Sequence, residues 1–226
     1  MTSISTELEQ QVLEIIRKHP EVIAEVLQTY EQQQEQAKQQ NYLAFLDTLK
    51  NDPNSIIGNS PSAGESDPEV WLIEFSDFQS ASCADSHDAI GAFMDRYGDR
   101  VQLVYKHFPL TQQYPEAENA AKAAWAADQQ GRFWPYHDGL FNQQNELGDR
   151  LYWALAEDLG LDLEQFDRDR NMASVSSAIA RDTELGNQLG LTGTPFFIML
   201  ARGKCETFSG AIAPEKLEEM LEKVSG

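Results

Sequence analysis

Apolar residues recur every three or four positions through the first ~50 residues, which is the period of an α-helix. The pattern predicts one helix over 6–18 and a second that begins at Pro20, because proline suits the first turn of a helix. Within the second helix the stretch EQQQEQAKQQ is polar on all sides, so we expect it to be exposed or packed on another chain. The connector NDPNSIIGNSPSAGESDP follows and predicts a domain boundary near residue 60.

Short apolar runs after the connector predict strands, and a long block between them predicts helices. The runs 70–75 and 101–105 are apolar enough to lie inside a sheet, with a helical segment between them. Residues 116–189 are rich in Ala and Leu and have almost no β-branched run, which indicates an all-helical block. The segments TGTPFFIML and CETFSGA, joined by a turn at ARGK, predict a β-hairpin, and Pro214 opens a last amphipathic helix.

This order of elements is typical of an α/β fold in which helices flank one sheet. We therefore predict an N-terminal helical extension with its linker over 1–59 and a main domain over 60–226. The helical insert of the main domain is expected at about 113–189.

The charge balance disfavours two classes of partner. The 226 residues carry 17 Lys and Arg against 37 Asp and Glu, a net charge of -20, which repels nucleic acid phosphates and anionic lipid surfaces. The N-terminus has no basic start followed by an unbroken apolar run, so it predicts neither a signal peptide nor a membrane span. As written, the chain is expected in the cytoplasm, and a periplasmic protein from which an export signal had been removed would look the same.

Two cysteines, Cys83 and Cys205, are too few for a disulfide scaffold. They also lack companion ligands at the spacing of a zinc site. We therefore expect no metal site and no bound cofactor.

Four separated motifs resemble the DsbA-like branch of the thioredoxin superfamily. EFSDFQ looks like the strand that leads into the active site of that family, and VYKHFPL looks like its second strand. ENAAKAAWAADQQGRFWPYHDGLF is similar to its helical insert, and LGLTGTPFFI to its proline loop. The resemblance covers about Ser55 to the C-terminus and implies an α/β, thioredoxin-like fold with a helical insert domain and an N-terminal helical extension.

The family carries a Cys-X-X-Cys motif directly after the first strand, and the aligned residues here are Ser80, Ala81, Ser82 and Cys83. A cysteine at the start of a helix is favoured as the thiolate and attacks disulfides, and the second cysteine resolves the mixed disulfide. A serine hydroxyl ionises too weakly for that attack and stores no electrons, so the sequence excludes dithiol cycling at this motif. Because Ala81 also departs from the family pattern, we favour natural divergence over an engineered change. The competing interpretation of Ser80 is a helix cap.

The resemblance also assigns Glu74 and the Thr194–Pro195 pair to the site. Glu74 aligns with an acidic residue beneath the second cysteine, where it can accept or relay the thiol proton. Pro195, preceded by Thr194, aligns with a proline that is cis in the superfamily and faces the active site, where neighbouring backbone groups pair with an extended substrate. Ser80, Cys83 and Glu74 are thus the candidate catalytic residues, and Ala81, Ser82, Thr194 and Pro195 the candidate substrate-binding residues.

The histidines and the second cysteine carry weaker signals. His87 lies one turn after Cys83 and could lower the pKa of that thiol, although a solvent-facing position is commoner. We expect His107 at a strand end near the site, and His19 and His137 as surface or packing residues.

Cys205 begins the second strand of the predicted hairpin, whereas Pro195 begins the first. With a rise of ~3.3 Å per residue, Cys205 lies beyond the ~7 Å between Cα atoms that a disulfide spans. We predict no bond between Cys83 and Cys205, and no redox role for Cys205.

Three functions follow from the resemblance. The first is a divergent thiol-disulfide exchange protein in which Cys83 acts as a monothiol on protein thiols, with glutathione as co-substrate, and this requires Cys83 to be reachable. The second is a redox-dead peptide-binding or chaperone-like module. The third is a glutathione-using transferase or isomerase of the kappa type, in which Ser80 stabilises a glutathione thiolate.

The N-terminal helices suggest a further property. Some DsbA-like proteins use such extensions to form oligomers, so a homo-oligomer through these helices is one expectation, and packing on their own domain is the other.

Overall fold

A computed structural model describes residues 6–201 and 203–226, and the side chains of residues 6–9, 12, 38, 50 and 55 are outside that description. Two parts of the predictions lie outside the described residues. They are residues 1–5, in the N-terminal segment that predicts no signal peptide, and Arg202, in the predicted hairpin turn. The chain divides into two compact units, Met1–Ala44 and Phe45–Gly226. Among the helices that the structure describes, none is both long and apolar enough to cross a lipid bilayer.

Helices form the N-terminal unit, which confirms the helical periodicity there. Helix α1 spans Thr6–Lys18, and α2 spans Pro20–Asn51 and continues into the second unit. His19 lies between them, and its exposed ring contacts Glu21, with Nδ1 and Oε1 3.0 Å apart. The described side chains of the polar stretch 31–40 are exposed.

Residues 45–59 lie in the second compact unit, whereas the sequence predicts a boundary near residue 60. Four apolar residues of this segment, Phe45, Leu49, Ile56 and Ile57, are buried. The short helix α3, Pro53–Ile57, is also fastened by a polar contact, because Lys106 Nζ donates to the carbonyl of Ile57 at 3.2 Å. Pro, Gly and Ser predicted a connector without regular structure here, but the segment contains α3, and its apolar residues are part of the core.

A mixed sheet lies at the centre of the second unit, and within the described residues it has five strands. These are β1 (Ser62–Gly64), β2 (Val70–Ser76), β3 (Val101–His107), β4 (Phe196–Ala201) and β5 (Lys204–Ser209). Their order is β1-β3-β2-β4-β5, with β2 and β3 parallel and the other neighbours antiparallel. The two predicted strands and the hairpin are confirmed, whereas β1 was not predicted because its three residues carry no apolar run.

Helices cover both faces of this sheet, as the predicted α/β fold requires. The described ones are α4 (Ala81–Tyr97), α5 (Ala117–Asp128), α6 (Phe133–Asn142), α7 (Asp149–Asp158), α8 (Leu163–Arg170), α9 (Ala173–Gln188) and α10 (Pro214–Ser225), with a 3-10 turn at Gln144–Glu146. Helices α5 to α9 occupy the block that the sequence predicted as helical.

The core of the second unit contains two large clusters of buried side chains. In one, α10 and the inner face of α4 pack on the strands through residues such as Phe93, Leu217 and Leu221. In the other, the insert packs around α5, whose alanines are buried. Because alanine is small, neighbouring helices can approach α5 closely. The second cluster includes Cys83 near the start of α4, where the candidate site lies.

Candidate active site at the start of helix α4

The loop between β2 and α4 is held from two directions. The carboxylate of Asp77 is buried in this loop, and its Oδ2 accepts a hydrogen bond from the backbone N–H of Leu110 at 2.8 Å. From the insert, Gln144 Nε2 donates to the carbonyl oxygens of Phe78 and Ser80 at 2.8 and 2.9 Å. These contacts fix the backbone of Ser80 immediately before α4 begins.

Ser80 occupies the N-cap position of α4 but does not cap it with its side chain. Its backbone is extended, with φ -76° and ψ 121°, and its hydroxyl makes no cap hydrogen bond. The hydroxyl instead donates to the carbonyl oxygen of Thr194 at 3.4 Å. The interpretation of Ser80 as a side-chain cap is therefore wrong, because the loop before β4 offers an acceptor.

The Thr194–Pro195 segment lies beside Ser80, although 114 residues separate Ser80 from Thr194 along the chain. The peptide bond between Thr194 and Pro195 is cis. Pro195 is buried, Ala81 is exposed and Ser82 is half-buried on the first turn of α4. The structure thus brings Ser80 and Thr194 into contact and leaves Ala81 open to solvent.

Cys83 is completely buried one turn into α4. Burial raises the pKa of its thiol, and the negative charge of Glu74 raises it further. The hydroxyls of Ser76, Ser80 and Thr194 lie close enough to favour the thiolate, but their effect is smaller. At neutral pH the resting site therefore holds a protonated, shielded thiol.

Glu74 lies in β2 between two neighbouring strands, opposite Tyr105 of β3 and Phe197 of β4. Only 2% of it is exposed, and burial raises the pKa of its carboxyl to about 7, against the opposing effects of the Ser76 hydroxyl and the charge of His87. A carboxyl with this pKa exchanges protons near neutrality, as a general acid or base requires. Its charge also acts on the Cys83 thiol, in the arrangement that the resemblance implies.

His87 contacts the insert, which corrects the expectation of a solvent-facing side chain. Its side chain is 18% exposed, and its Nε2 lies 3.0 Å from Oδ1 of Asp138 in α6. That hydrogen bond raises the pKa of His87. The charge of His87 lowers the pKa of the Glu74 carboxyl, against the larger effect of burial.

His137 is buried beside His87 and confirms the expectation of a packing residue. Its Nδ1 lies 2.9 Å from the same oxygen of Asp138, and its Nε2 is buried without a hydrogen-bond partner. Burial lowers the pKa of the ring. Two imidazoles therefore share one carboxylate oxygen.

His107 ends β3, as predicted, and packs among aromatic rings. Burial lowers its pKa to about 3, and the nearby charges of His137 and Lys106 act in the same direction. Neither ring nitrogen has a hydrogen-bond partner. His107 is thus a neutral packing residue near the site.

Cys205 lies in β5 opposite Leu200, whereas Phe196, directly after Pro195, lies opposite Ser209 at the other end of the hairpin. Cys83 and Cys205 are both unbridged, which confirms the prediction of no disulfide between them.

A cavity of about 210 Å³ lies behind the site, between α4, the sheet and α6. Glu74, His87, His137 and Asp138 all line it, together with apolar side chains such as Trp134. Sequence reasoning missed Asp138 and the grouping of the two histidines. His137 and Asp138 are adjacent in the sequence, but 51 residues separate His87 from Asp138 and only the fold brings them together.

Comparisons with known proteins agree with this geometry. Residues 71–222 match the family described as DSBA-like thioredoxin domain. A thioredoxin-like oxidoreductase from Silicibacter pomeroyi is 28% identical, with a TM-score of 0.67 over 79% of this chain and 96% of that one. The thiol-disulfide exchange protein alpha-DsbA2 from Wolbachia pipientis has a TM-score of 0.69 over 80% of this chain and 96% of its own, at 18% identity.

A part of a larger protein is also similar. The Na(+)/H(+) antiporter NhaA 1 of Mycolicibacterium gilvum is 36% identical over 136 residues, which are 58% of this chain and 22% of that protein. The chain thus spans about a fifth of the length of the curated relatives it matches. The family match covers more than half of the chain and includes β2, α4, the insert and the proline loop. This chain therefore belongs to the DSBA-like thioredoxin domain family and has the α/β fold of DsbA-like thiol-disulfide exchange proteins.

Proposed function

We propose that this chain is a divergent DsbA-like thiol-disulfide exchange protein whose site, Ser80 to Cys83, is impaired in dithiol redox cycling. One observation carries the proposal. The Ser80 hydroxyl, at the start of α4, lies 3.4 Å from the Thr194 carbonyl beside the cis Pro195. An oxygen therefore occupies the position at which a helix N-terminus would favour an attacking thiolate.

Cys83 is the one thiol of this site, so the chemistry left to it is monothiol exchange. The Cys83 thiolate would attack a mixed disulfide between a protein and glutathione, form a disulfide with the glutathione sulfur and release the protein thiolate. A second glutathione thiolate would then displace Cys83 and leave as oxidised glutathione. Glu74, which acts electrostatically on this thiol, would accept the Cys83 proton in the first step and return it in the second.

Extended peptides that carry thiols are the proposed protein substrates. Thr194, Pro195, Ala81 and Ser82 form the proposed contact surface, where backbone groups beside a cis proline pair with an extended chain. Glutathione is the proposed co-substrate, and the cytoplasm the proposed compartment, with the periplasm as the alternative. The net charge of -20 disfavours nucleic acid and membrane partners.

Restoring the missing thiol tests the proposal directly. We expect Ser80→Cys to gain dithiol activity in a disulfide reduction or oxidation assay, whereas the natural sequence has little. The gain should disappear when Cys83→Ser is added and persist when Cys205→Ser is added, because Cys205 lies at the far end of the hairpin.

Two results would contradict the proposal. One is dithiol turnover by the natural sequence, and the other is a folded Ser80→Cys variant that forms no bond with Cys83. In the natural sequence, glutathione-dependent reduction of a mixed-disulfide peptide should require Cys83 and not Cys205.

A redox-dead peptide-binding module is the second candidate, and the complete burial of Cys83 favours it. A buried, protonated thiol reacts slowly. If the chain is a binding module, iodoacetamide should label half-buried Cys205 in the native protein and Cys83 only after denaturation, as measured by mass spectrometry. Slow labelling of Cys83 with no glutathione-dependent turnover would favour the binding module, and rapid labelling would favour monothiol exchange.

A kappa-type glutathione transferase or isomerase is less well supported. Ser80 is 3% exposed, and its hydroxyl already donates to Thr194, so it would have to be released to hold a glutathione thiolate. Tight glutathione binding that survives Cys83→Ala would favour this alternative.

A further inference from the structure

His87, His137 and Asp138 form a compact set of metal-ligating side chains outside the thiol chemistry. One potential ligand atom from each lies within 4.8 Å of the other two. His87 comes from α4, whereas His137 and Asp138 are adjacent in α6, so the set joins the thioredoxin core to the insert. The proposed exchange reaction uses none of the three.

Two of the three distances are close to those of a tetrahedral centre. Ligand bonds to zinc of ~2.0–2.1 Å place neighbouring ligand atoms ~3.3 Å apart. Oδ1 of Asp138 lies 3.0 Å from Nε2 of His87 and 2.9 Å from Nδ1 of His137. The ligand atoms of the set lie within 4.8 Å of one another, so side-chain rotations would have to bring the two imidazole nitrogens to one cation, which would replace the hydrogen-bonded protons.

The surroundings hold the imidazole of His137 in place. Its ring packs against those of Phe141, Tyr105 and Trp134, with centroid distances of 4.9, 5.1 and 5.2 Å. These contacts leave Nδ1 facing Asp138, so Nδ1 is the nitrogen of His137 that would bind the cation.

A second carboxylate lies near Nδ1 of His87. Nδ1 of His87 lies 3.5 Å from Oδ1 of Asp88, while Nε2 faces Asp138. Histidine ligands of metals commonly contact a carboxylate through the second ring nitrogen, which orients the ring.

The three residues line a cavity that could hold the remaining ligand. This is the cavity of about 210 Å³ that Glu74 also lines. Three protein ligands and one open position are the arrangement of catalytic zinc sites, in which water or a substrate completes the shell. A carboxyl in the same cavity can accept a hydrogen bond from such a water.

We propose that His87, His137 and Asp138 bind one divalent first-row transition cation, with Zn²⁺ as the best match, and leave one coordination position open to the cavity lined by Glu74. Two nitrogens and one carboxylate oxygen are donors that suit zinc and disfavour Ca²⁺ and Mg²⁺, which take oxygen ligands. The site would thus place a fixed positive charge in the cavity behind the thiol.

Titration of the full chain with Zn²⁺ by calorimetry tests the proposal, and Co²⁺ absorption reports the ligand type. We expect one Zn²⁺ per chain and a Co²⁺ spectrum without a thiolate charge-transfer band. Asp138→Asn and His87→Gln should each weaken binding at least tenfold. His19→Gln and Cys205→Ser are the matched controls, and both should bind as the natural sequence does.

A second measurement uses the unaltered protein, so it does not depend on how the variants fold. On addition of Zn²⁺, the imidazole nitrogen resonances of His87 and His137 should shift, and those of His19 and His107 should not. The absence of Zn²⁺ binding, or binding that both variants retain, would overturn the proposal. In that event the three side chains form only a hydrogen-bonded link between α4 and α6.

Discussion

The Glu74 carboxyl shows how a single residue couples burial to chemistry at this site. A carboxylate inside a sheet is unfavourable because low polarity penalises the charge. Here that penalty raises the pKa to about 7, so the group is poised near neutrality. The same penalty means that Glu74 lowers the free energy of unfolding once its carboxyl is charged.

We predict that Glu74→Gln changes stability in a pH-dependent way. In the folded chain Glu74 keeps its proton up to about pH 7, whereas its pKa before folding is 4.5, so the folded state binds more protons between these values. The free energy of unfolding of the natural protein therefore falls as the pH rises from 4.5 to 7. Relative to it, Glu74→Gln should gain roughly 3 kcal/mol between pH 4.5 and pH 8.

Denaturant unfolding at the two pH values measures this gain. Glu157→Gln is the matched control, because Glu157 is exposed in the insert, and its difference from the natural protein should stay constant. A Glu74→Gln difference that is equal at both pH values would show that the carboxyl is not destabilised by burial.

The sequence predicted some of these residues and missed others for physical reasons. Glu74 lies in β2, Cys83 lies in the helix that follows it, and Pro195 directly precedes β4, so motif spacing was enough to find them. The burial of Cys83 and the orientation of His87 depend on the insert, whose packing no local pattern encodes. Asp138 was missed for the same reason.

At the scale of elements, two glycines in helices show whether backbone entropy or side-chain packing decides the effect of an added Cβ atom. Gly186 is buried in α9, and a Cβ atom there would lie 2.5 Å from ring carbon Cδ2 of Phe108. Phe108 itself packs edge-on against Phe75, with ring centroids 6.5 Å apart, so its ring has little room to move. Gly91 in α4 is exposed, and a Cβ atom there would meet nothing within 4 Å.

We predict that alanine has opposite effects at the two glycines. Gly91→Ala should stabilise the protein by about 0.5–1 kcal/mol, because alanine loses less backbone entropy in a helix. Gly186→Ala receives the same gain but should destabilise by about 1–3 kcal/mol, because overpacking against Phe108 outweighs it. Thermal or denaturant unfolding of both variants measures the two signs, and stabilisation by Gly186→Ala would show that α9 can move away from the ring.

The predicted elements that the structure confirms are those with a strong periodic pattern of apolar residues. β2, β3 and α10 follow apolar patterns that local sequence displays. β1 has only Ser, Ala and Gly and exists because β3 offers a free edge, which is tertiary information. The connector likewise has buried apolar residues, Ile56 and Ile57, whose packing the loop-like composition does not predict.

At the scale of the whole chain, the N-terminal unit carries many exposed apolar side chains. They are Leu13, Ile15, Ile16, Val22, Ile23, Val26, Leu27, Tyr30 and Leu43, each 39% exposed or more. So many exposed large apolar side chains in one unit are unusual on a monomer and indicate an interaction site. The second unit has a core of its own.

We propose that the N-terminal helices join copies of this chain, and we predict that the full chain is a homo-oligomer while residues 45–226 are monomeric. Val26→Glu should reduce the oligomer, because Val26 is 59% exposed and a charge there opposes burial between copies. Gln33→Glu adds the same charge within the polar stretch and should leave the oligomer intact. Light scattering coupled to size exclusion measures each mass.

Since the proposed contact between copies is apolar, the oligomer should persist at high salt, whereas ion pairs would be screened. A full chain with the mass of one copy at both salt concentrations would instead assign this surface to another partner.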